Sequence, residues 1–492
     1  MRAIGTCEWR CEGAGRVDNA ALTWLRRTRL CTTIAAMSPC IRLPIVFALL
    51  LLAACAHVQR PDLHRLYASN RSVSDQPPVI LIPGLMGSRI ADADGRELWP
   101  GSFGRVLFSS YPELALQIDP ATLQVDPRGQ RAVGITDQIA GRAFYASIIE
   151  TLRDAGGFEL ATPGRKPEPG KRYLYVLAYD WRLDNIEAAR ALDRLIEQIR
   201  IDFGQPELKV DIVAHSMGGL IARYYLCYGS EDVLERNDFP LSYRGAGRVR
   251  RVALLGTPNL GSVGSLHSFI AGRRVVLGRV KTEHLATFPS LFELFPHPLN
   301  DWIIADSGLA LERDVFDVEL WRRFQWSVFD PKVQARIRTQ AGDAAAGDAQ
   351  VALLQRFFAY RLERARRFVW SLTVPLADVP WNMVTFGGDC TLTPARILVE
   401  NVDGDSLVRL RPDQIKRPRA NVDYDRLMLE PGDSTVTKAS LLARESLDPL
   451  VPRHKYSFFP VRGSFFLCER HDALSNNSTF QDNLMQFLLS RD

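Results

Sequence analysis

Short unbroken runs of aliphatic and β-branched residues recur along the chain, each ending at a loop rich in Gly, Asp or Pro: Val79–Ile82, Tyr173–Tyr179, Leu208–Ala214 and Val249–Gly256. Runs of this length without polar alternation predict strands buried on both faces. Between them, Phe144–Arg153 and Asn185–Phe203 carry apolar residues at spacings of three and four, the period of amphipathic helices. Strands alternating with helices predict the α/β class, with a mostly parallel sheet covered by helices on both faces. A further strand is expected at Met383–Phe386. Well over a hundred residues separate it from Gly256, far more than a connection requires, and the span 259–378 reads as an inserted cap or lid. Within it, Ala341–Ala349 is low in complexity. Val351–Val369 is amphipathic, with an apolar stripe suited to packing onto the cap or, in the sharper reading, to a lipid interface.

The N-terminus follows a different pattern. Leu43–Ala54 is a nearly continuous apolar run, too short to cross a bilayer as a helix, with Arg42 at its leading edge. It ends Leu52-Ala53-Ala54-Cys55, which resembles a bacterial lipobox whose cysteine carries lipid after cleavage. Met37 lies just upstream and is the better starting residue for such a leader. The expected organisation is a signal peptide over 1–55, a polar tether over 56–76, a first core segment over 77–258, the cap, and a second core segment over 379–492. The expected location is the cell envelope, as an outer-membrane lipoprotein anchored through Cys55. Without lipidation it would be periplasmic or secreted.

Composition narrows the picture. In 492 residues, 46% are hydrophobic and 24% charged, the balance of a globular protein, and we expect one large domain with insertions rather than two. The net charge of +5 arises from 61 basic and 56 acidic residues without a basic tract, so no nucleic-acid partner is expected. The mixed-sign cluster Arg361–Arg367 reads as the solvated face of a helix. Once the leader is removed, Cys227, Cys390 and Cys468 remain beside Cys55. One bridge is possible among the three, Cys390 to Cys468 being one choice. The histidines are scattered, and neither a metal nor a cofactor is expected.

Candidate chemistry sits after the third run. His215-Ser216-Met217-Gly218-Gly219 joins a strand to a helical stretch, Leu220–Tyr228, which is the setting of a nucleophile elbow. A serine there must occupy a strained turn above the sheet, with small neighbours to let backbones approach; Ala214 and Gly218 are small. The helix dipole behind Ser216 favours negative charge developing at the site. A second oxyanion donor is expected from Pro83–Ser88, so the N–H groups of Met86 and Met217 form the expected oxyanion hole, with Leu85 the alternative to Met86. Serine needs a histidine base oriented by a carboxylate. Of the two histidines beyond the cap, His471 sits in a polar loop before a closing helix, whereas His454 lies between basic residues. Asp389, Asp405 and Asp433 are the candidate acids. Asp433, in a Gly turn followed by hydroxyl residues, is preferred, and Asp405 is its main rival.

Taken together, these pieces resemble the lecithin:cholesterol acyltransferase family, within the α/β-hydrolase fold. The resemblance is carried by Ile82–Ser88, Leu98-Trp99-Pro100, Tyr179-Asp180-Trp181-Arg182, Ala214–Gly219, Gly256-Thr257-Pro258, Gly432–Val436 and His471. It implies a Ser216–Asp433–His471 triad, a supporting role for Asp180 and Arg182, and a mobile lid within Ser262–Glu293 anchored by Phe288–Pro296. The expected activity is O-acyl transfer or hydrolysis of a phospholipid or other lipid ester at a membrane surface. A non-lipid esterase or thioesterase, and an inactive lipid- or protein-binding scaffold, are the alternatives. The long Ala/Arg-rich cap and the lack of an early cysteine pair depart from the family pattern and leave the acyl acceptor open.

Overall fold

The computed structural model describes residues 61–492 apart from 70–75, 140–141, 276, 377–378, 380, 449, 451, 453–459 and 491–492. The leader, Met37, Cys55 and His454 lie outside the described residues. Seven strands form the central sheet: β1 (Val79–Ile82), β2 (Phe158–Leu160), β3 (Arg172–Val176), β4 (Val210–His215), β5 (Val249–Leu255), β6 (Asn382–Gly388) and β7 (Gly463–Leu467). Their order is β7-β6-β5-β4-β1-β3-β2, and every neighbouring pair is parallel. This is the α/β-hydrolase fold. Successive side chains of β1 enter different cores: Ile80 and Ile82 join one apolar cluster, Val79 and Leu81 the other. Burial on both faces is what makes the strand sequences continuously apolar. β2 escaped the sequence pattern because three residues are too few to display one.

Five longer helices matter for the site: α1 (Ala146–Asp154), α2 (Asn185–Phe203), α3 (Met217–Tyr228), α4 (Ala344–Ser371) and α5 (Ser478–Leu489). Asp184 starts α2 by accepting the Ile186 N–H at 3.1 Å, and Gly204, at φ 64°, ends it. The stretch after Ser216 has an amphipathic pattern, yet every residue of α3 is buried. The excursion between β5 and β6 covers its outer face: Tyr224 stacks on Phe368, and Tyr228 Oη donates to the Ser371 carbonyl. Arg223, on α3, donates to Asn259 Oδ1 (2.9 Å) and to the Leu372 carbonyl (2.6 Å), one at each end of that excursion.

Only part of the cluster Arg361–Arg367, namely Glu363, Arg366 and Arg367, faces solvent. Arg361 is 3% exposed, and Arg364 bonds Asp184 Oδ2 (2.5 Å) and Asp232 Oδ2 (2.7 Å). These acids lie some 130 to 180 positions away in sequence, so a local charge pattern could not reveal them. Part of the stretch read as tether is also packed. Leu63–Leu66 forms one helical turn, and Tyr67 Oη donates to Asp482 Oδ1 of α5 at 2.7 Å. Residues 61–492 make one compact unit. No helix among the described residues is long and apolar enough to cross a membrane.

Candidate active site

Ser216 stands between β4 and α3 at φ 55°, ψ −124°, a backbone conformation that a non-glycine residue adopts only under constraint. The constraint is close packing. A Cβ on Gly84 would lie 2.8 Å from Ser216 Cβ, and one on Gly218 would lie 2.6 Å from the carbonyl oxygens of Ile82 and Pro83. The turn is tied to the sheet by Ser216 N–H donating to the Leu255 carbonyl at 2.7 Å.

His471 and Asp433 reach this serine from the second core segment. His471 Nε2 lies 2.9 Å from Ser216 Oγ, and His471 Nδ1 lies 2.8 Å from Asp433 Oδ2. Asp433 Oδ1 accepts the N–H groups of Thr435 (3.0 Å) and Val436 (2.7 Å), so Oδ2 is turned toward histidine. A carboxylate facing Nδ1 selects the tautomer that leaves Nε2 free to accept the serine proton. The backbone adds a further tie, His471 N–H to the Asp433 carbonyl at 2.8 Å. A Cβ on Gly388 would meet Asp433 Cβ at 2.7 Å. A disulfide joins Cys390, just after β6, to Cys468, just after β7, and so links the strand ends beside the acid and histidine loops. Cys227 is free and buried, its thiol pushed up to about 12 by burial.

The rival carboxylates are elsewhere. Asp405 begins a surface strand, Asp405–Arg409, and Asp389 pairs with Lys438 at 2.9 Å. Of the oxyanion candidates, the N–H groups of Leu85, Met86 and Met217 take no partner among the described residues. Met86 turns its side chain into the core, and its carbonyl accepts the Trp99 indole N–H at 2.8 Å; Leu85 lines the cavity over Ser216. That cavity has a volume of about 170 Å³ and is bordered by Phe144, Arg273, Leu294 and Arg470.

Two residues that sequence reasoning missed connect these parts. Tyr145 Oη accepts the Gly84 N–H (2.7 Å), which leaves its own hydrogen for His215 Nδ1 (2.7 Å). Burial lowers the His215 pKa to about 3, so its ring is neutral and accepts that bond. The ring centroids of His215 and His471 are 4.9 Å apart. His215 could have been noticed as the neighbour of Ser216, but Tyr145 carried no signal.

The family model for lecithin:cholesterol acyltransferase matches residues 164–333. Over that segment the chain is similar to the lecithin:cholesterol acyltransferase family. Two Arabidopsis thaliana proteins are similar to it. A putative phospholipid:diacylglycerol acyltransferase 2 is 29% identical over 191 residues, 35% of this chain and 27% of that protein. Lecithin-cholesterol acyltransferase-like 4 is 28% identical over 183 residues, 32% of each. The match thus spans about a quarter to a third of these relatives' length. A chain in the crystal structure of the Tle4–Tli4 complex shares the fold at TM-score 0.55 and 16% identity, covering 85% of this chain and 98% of that one.

The matched segment contains Ser216 and Tyr179–Arg182 but ends before Asp433 and His471, which join it through geometry alone. Asp180 and Arg182 stand behind the site. Arg182 is fully buried, donates to Asp180 through Nε (2.9 Å) and Nη2 (2.6 Å), and reaches the Leu114 carbonyl at 2.9 Å. The flanking aromatics hold the loop after β1: Tyr179 Oη donates to the Pro83 carbonyl (2.8 Å) and Trp181 Nε1 to the Ser88 carbonyl (3.0 Å). Phe288–Pro296 is anchored to the same scaffold, with Ser290 Oγ donating to the Trp181 carbonyl. Among the described residues no cluster of His, Cys, Asp or Glu could hold a metal ion.

Proposed function

We propose that this protein is a serine-dependent lipid acyltransferase or acyl hydrolase that works through an acyl-enzyme on Ser216. The observation that carries the reading is the unbroken series Ser216 Oγ, His471, Asp433, with contacts of 2.9 and 2.8 Å. Ser216 Oγ attacks the ester carbonyl while His471 Nε2 takes its proton. The oxyanion forms against the N–H of Met217 and of Met86 or Leu85. Collapse expels the alcohol portion, which receives the proton from His471. Water or a lipid alcohol then gives its proton to His471 and attacks the acyl-enzyme, releasing fatty acid or a new ester and restoring the serine.

A phospholipid donor is favoured by two cations at the cavity. Arg273 forms no ion pair among the described residues, and Arg470 approaches Asp472 no closer than 3.6 Å, so both are available to an anionic head. Lipidation at Cys55 would hold the enzyme against an outer membrane, beside this substrate, with movement within Ser262–Glu293 admitting it.

The test is incubation with radiolabelled phosphatidylethanolamine, with and without a long-chain alcohol, for wild type and Ser216→Ala. Ser216-dependent fatty acid marks a hydrolase, and Ser216-dependent ester marks a transferase. The variant should lose about 10⁴-fold or more in rate. Absence of both products together with no labelling by a fluorophosphonate probe would refute the enzymatic reading. Labelling without lipid turnover would refute the lipid substrate alone.

A further inference from the structure

The loop after β1 holds its free donors in a constrained backbone. Met86 sits at φ 63°, in the left-handed region that a non-glycine residue keeps only when its surroundings hold it there. The carbonyls of this loop are taken: Tyr179 Oη donates to that of Pro83, and the Trp99 indole and Thr136 Oγ1 (3.3 Å) donate to that of Met86. The Gly84 carbonyl accepts the Gly87 N–H at 3.0 Å. Of the N–H groups, that of Gly84 goes to Tyr145 Oη, while those of Leu85 and Met86 stay open.

Tyr145 is itself fixed. It is 1% exposed, its N–H and that of Phe144 bond the Asp137 carbonyl at 3.2 and 2.8 Å, and a Cβ on Gly87 would meet its ring at 3.0 Å. Burial pushes its phenol well up, so the hydroxyl keeps its hydrogen. Because the oxygen accepts from Gly84, that hydrogen is directed at His215 Nδ1, 2.7 Å away. His215 is the last residue of β4 and directly precedes Ser216, and its ring also bonds the backbone of His471. Three buried groups, the Gly84 N–H, the Tyr145 hydroxyl and His215 Nδ1, thus satisfy one another and tie the loop after β1 to the turn that carries Ser216.

We propose that Tyr145 and His215 are positioning residues for acyl transfer: they hold the loop after β1 against the serine turn, so that its open N–H groups and that of Met217 face one oxyanion. The proposal rests on the reading of Ser216 as the acyl carrier. Donors set in advance need no rearrangement when negative charge develops on the substrate oxygen. Loss of the hydroxyl would leave two buried groups unpaired and release the strained loop from the turn.

The test compares full-length variants by hydrolysis of p-nitrophenyl butyrate and by inhibition with phenylboronic acid, which forms a tetrahedral anion on a reactive serine. Tyr145→Phe removes the hydroxyl and keeps the ring. It should lower kcat by about 10–100-fold, keep KM within about twofold and weaken boronate binding as much as it lowers kcat. His215→Leu should act alike. His215→Asn, which sets an amide oxygen where Nδ1 stands, should bring kcat back to within about fivefold of wild type. Because the pair acts as a unit, Tyr145→Phe combined with His215→Leu should be no slower than the slower single variant. A pair that only stabilised the fold would shift the unfolding midpoint and leave boronate affinity unchanged. Unchanged kcat in Tyr145→Phe, a change in KM alone, unchanged boronate affinity, or single effects that multiply would overturn the proposal. A wild type that neither turns over the ester nor takes a fluorophosphonate label would sink the reading of Ser216 and the proposal with it, whereas an active wild type with an indifferent Tyr145→Phe sinks the proposal alone. Should His215→Leu fail to fold, Tyr145→Phe set against His215→Asn decides the matter.

Discussion

The two sides of the proposed triad are held by different physics. On the serine side, position is set by backbone crowding: Gly84, Gly218 and Gly219 leave no room for even one added carbon, and Ser216 is forced into its turn by contiguous strand and helix. On the acid and histidine side, loops from two strands are held by hydrogen bonds, by the Asp433–His471 backbone tie and by the Cys390–Cys468 bridge. The first is rigid because nothing fits between its parts; the second is rigid only while its bonds are made. Damage to the first should therefore disturb folding and activity together, whereas replacing a triad side chain on the second should lower activity without a matching loss of stability.

The largest effect expected is on the bonded side. His471→Ala should reduce turnover by about 10⁴-fold or more, and Asp433→Asn by about 10³–10⁴-fold, with little change in the unfolding midpoint. Asp405→Asn, measured beside them, should retain full rate; the reverse ranking would mean that the acid has been misassigned. On the crowded side, a Cβ on Gly219 would come within 2.0 Å of Thr257 Oγ1. Gly219→Ala should cost about 1–3 kcal/mol in denaturant unfolding and lower turnover in the same protein, unlike the His471 change. Loss of the bridge by Cys390→Ser with Cys468→Ser opens a loop of 78 residues. It should destabilise the fold by about 2–4 kcal/mol while fluorophosphonate labelling of Ser216 slows.

A pH dependence joins the two sides. His215 is held neutral, with its pKa depressed to about 3, so below about pH 6.5 the unfolded chain binds a proton that the folded one refuses. Native stability should fall as pH drops from about 6.5 toward 3, by up to about 1.4 kcal/mol per unit from this group. In His215→Gln that part of the slope should disappear from denaturation curves collected across the interval. An unchanged slope would mean that other groups dominate.

What could be read in advance follows the same division. The strands β1, β3, β4, β5 and β6 were legible because burial on both faces writes itself as an uninterrupted apolar run. Ser216 was legible from its local turn, and His471 from its loop beyond the cap. Features depending on partners far away in sequence were not legible. The Arg361–Arg367 cluster looked solvated because Asp184 and Asp232 are remote. The strand Ile303–Ala305 pairs with Ile397–Val402, across most of the cap, and is too short to show a period. Three cysteines permitted several bridges until β6 and β7 proved to be neighbours.

The grip of Arg223 on Asn259 and Leu372 has a consequence for engineering and for ancestry. A segment of more than a hundred residues leaves and rejoins the hydrolase framework within the span of one guanidinium. Such a cassette can be exchanged for another of different length without moving its points of attachment. Because those points bear on the helix that follows Ser216, a foreign replacement would be felt first in the alignment of that serine.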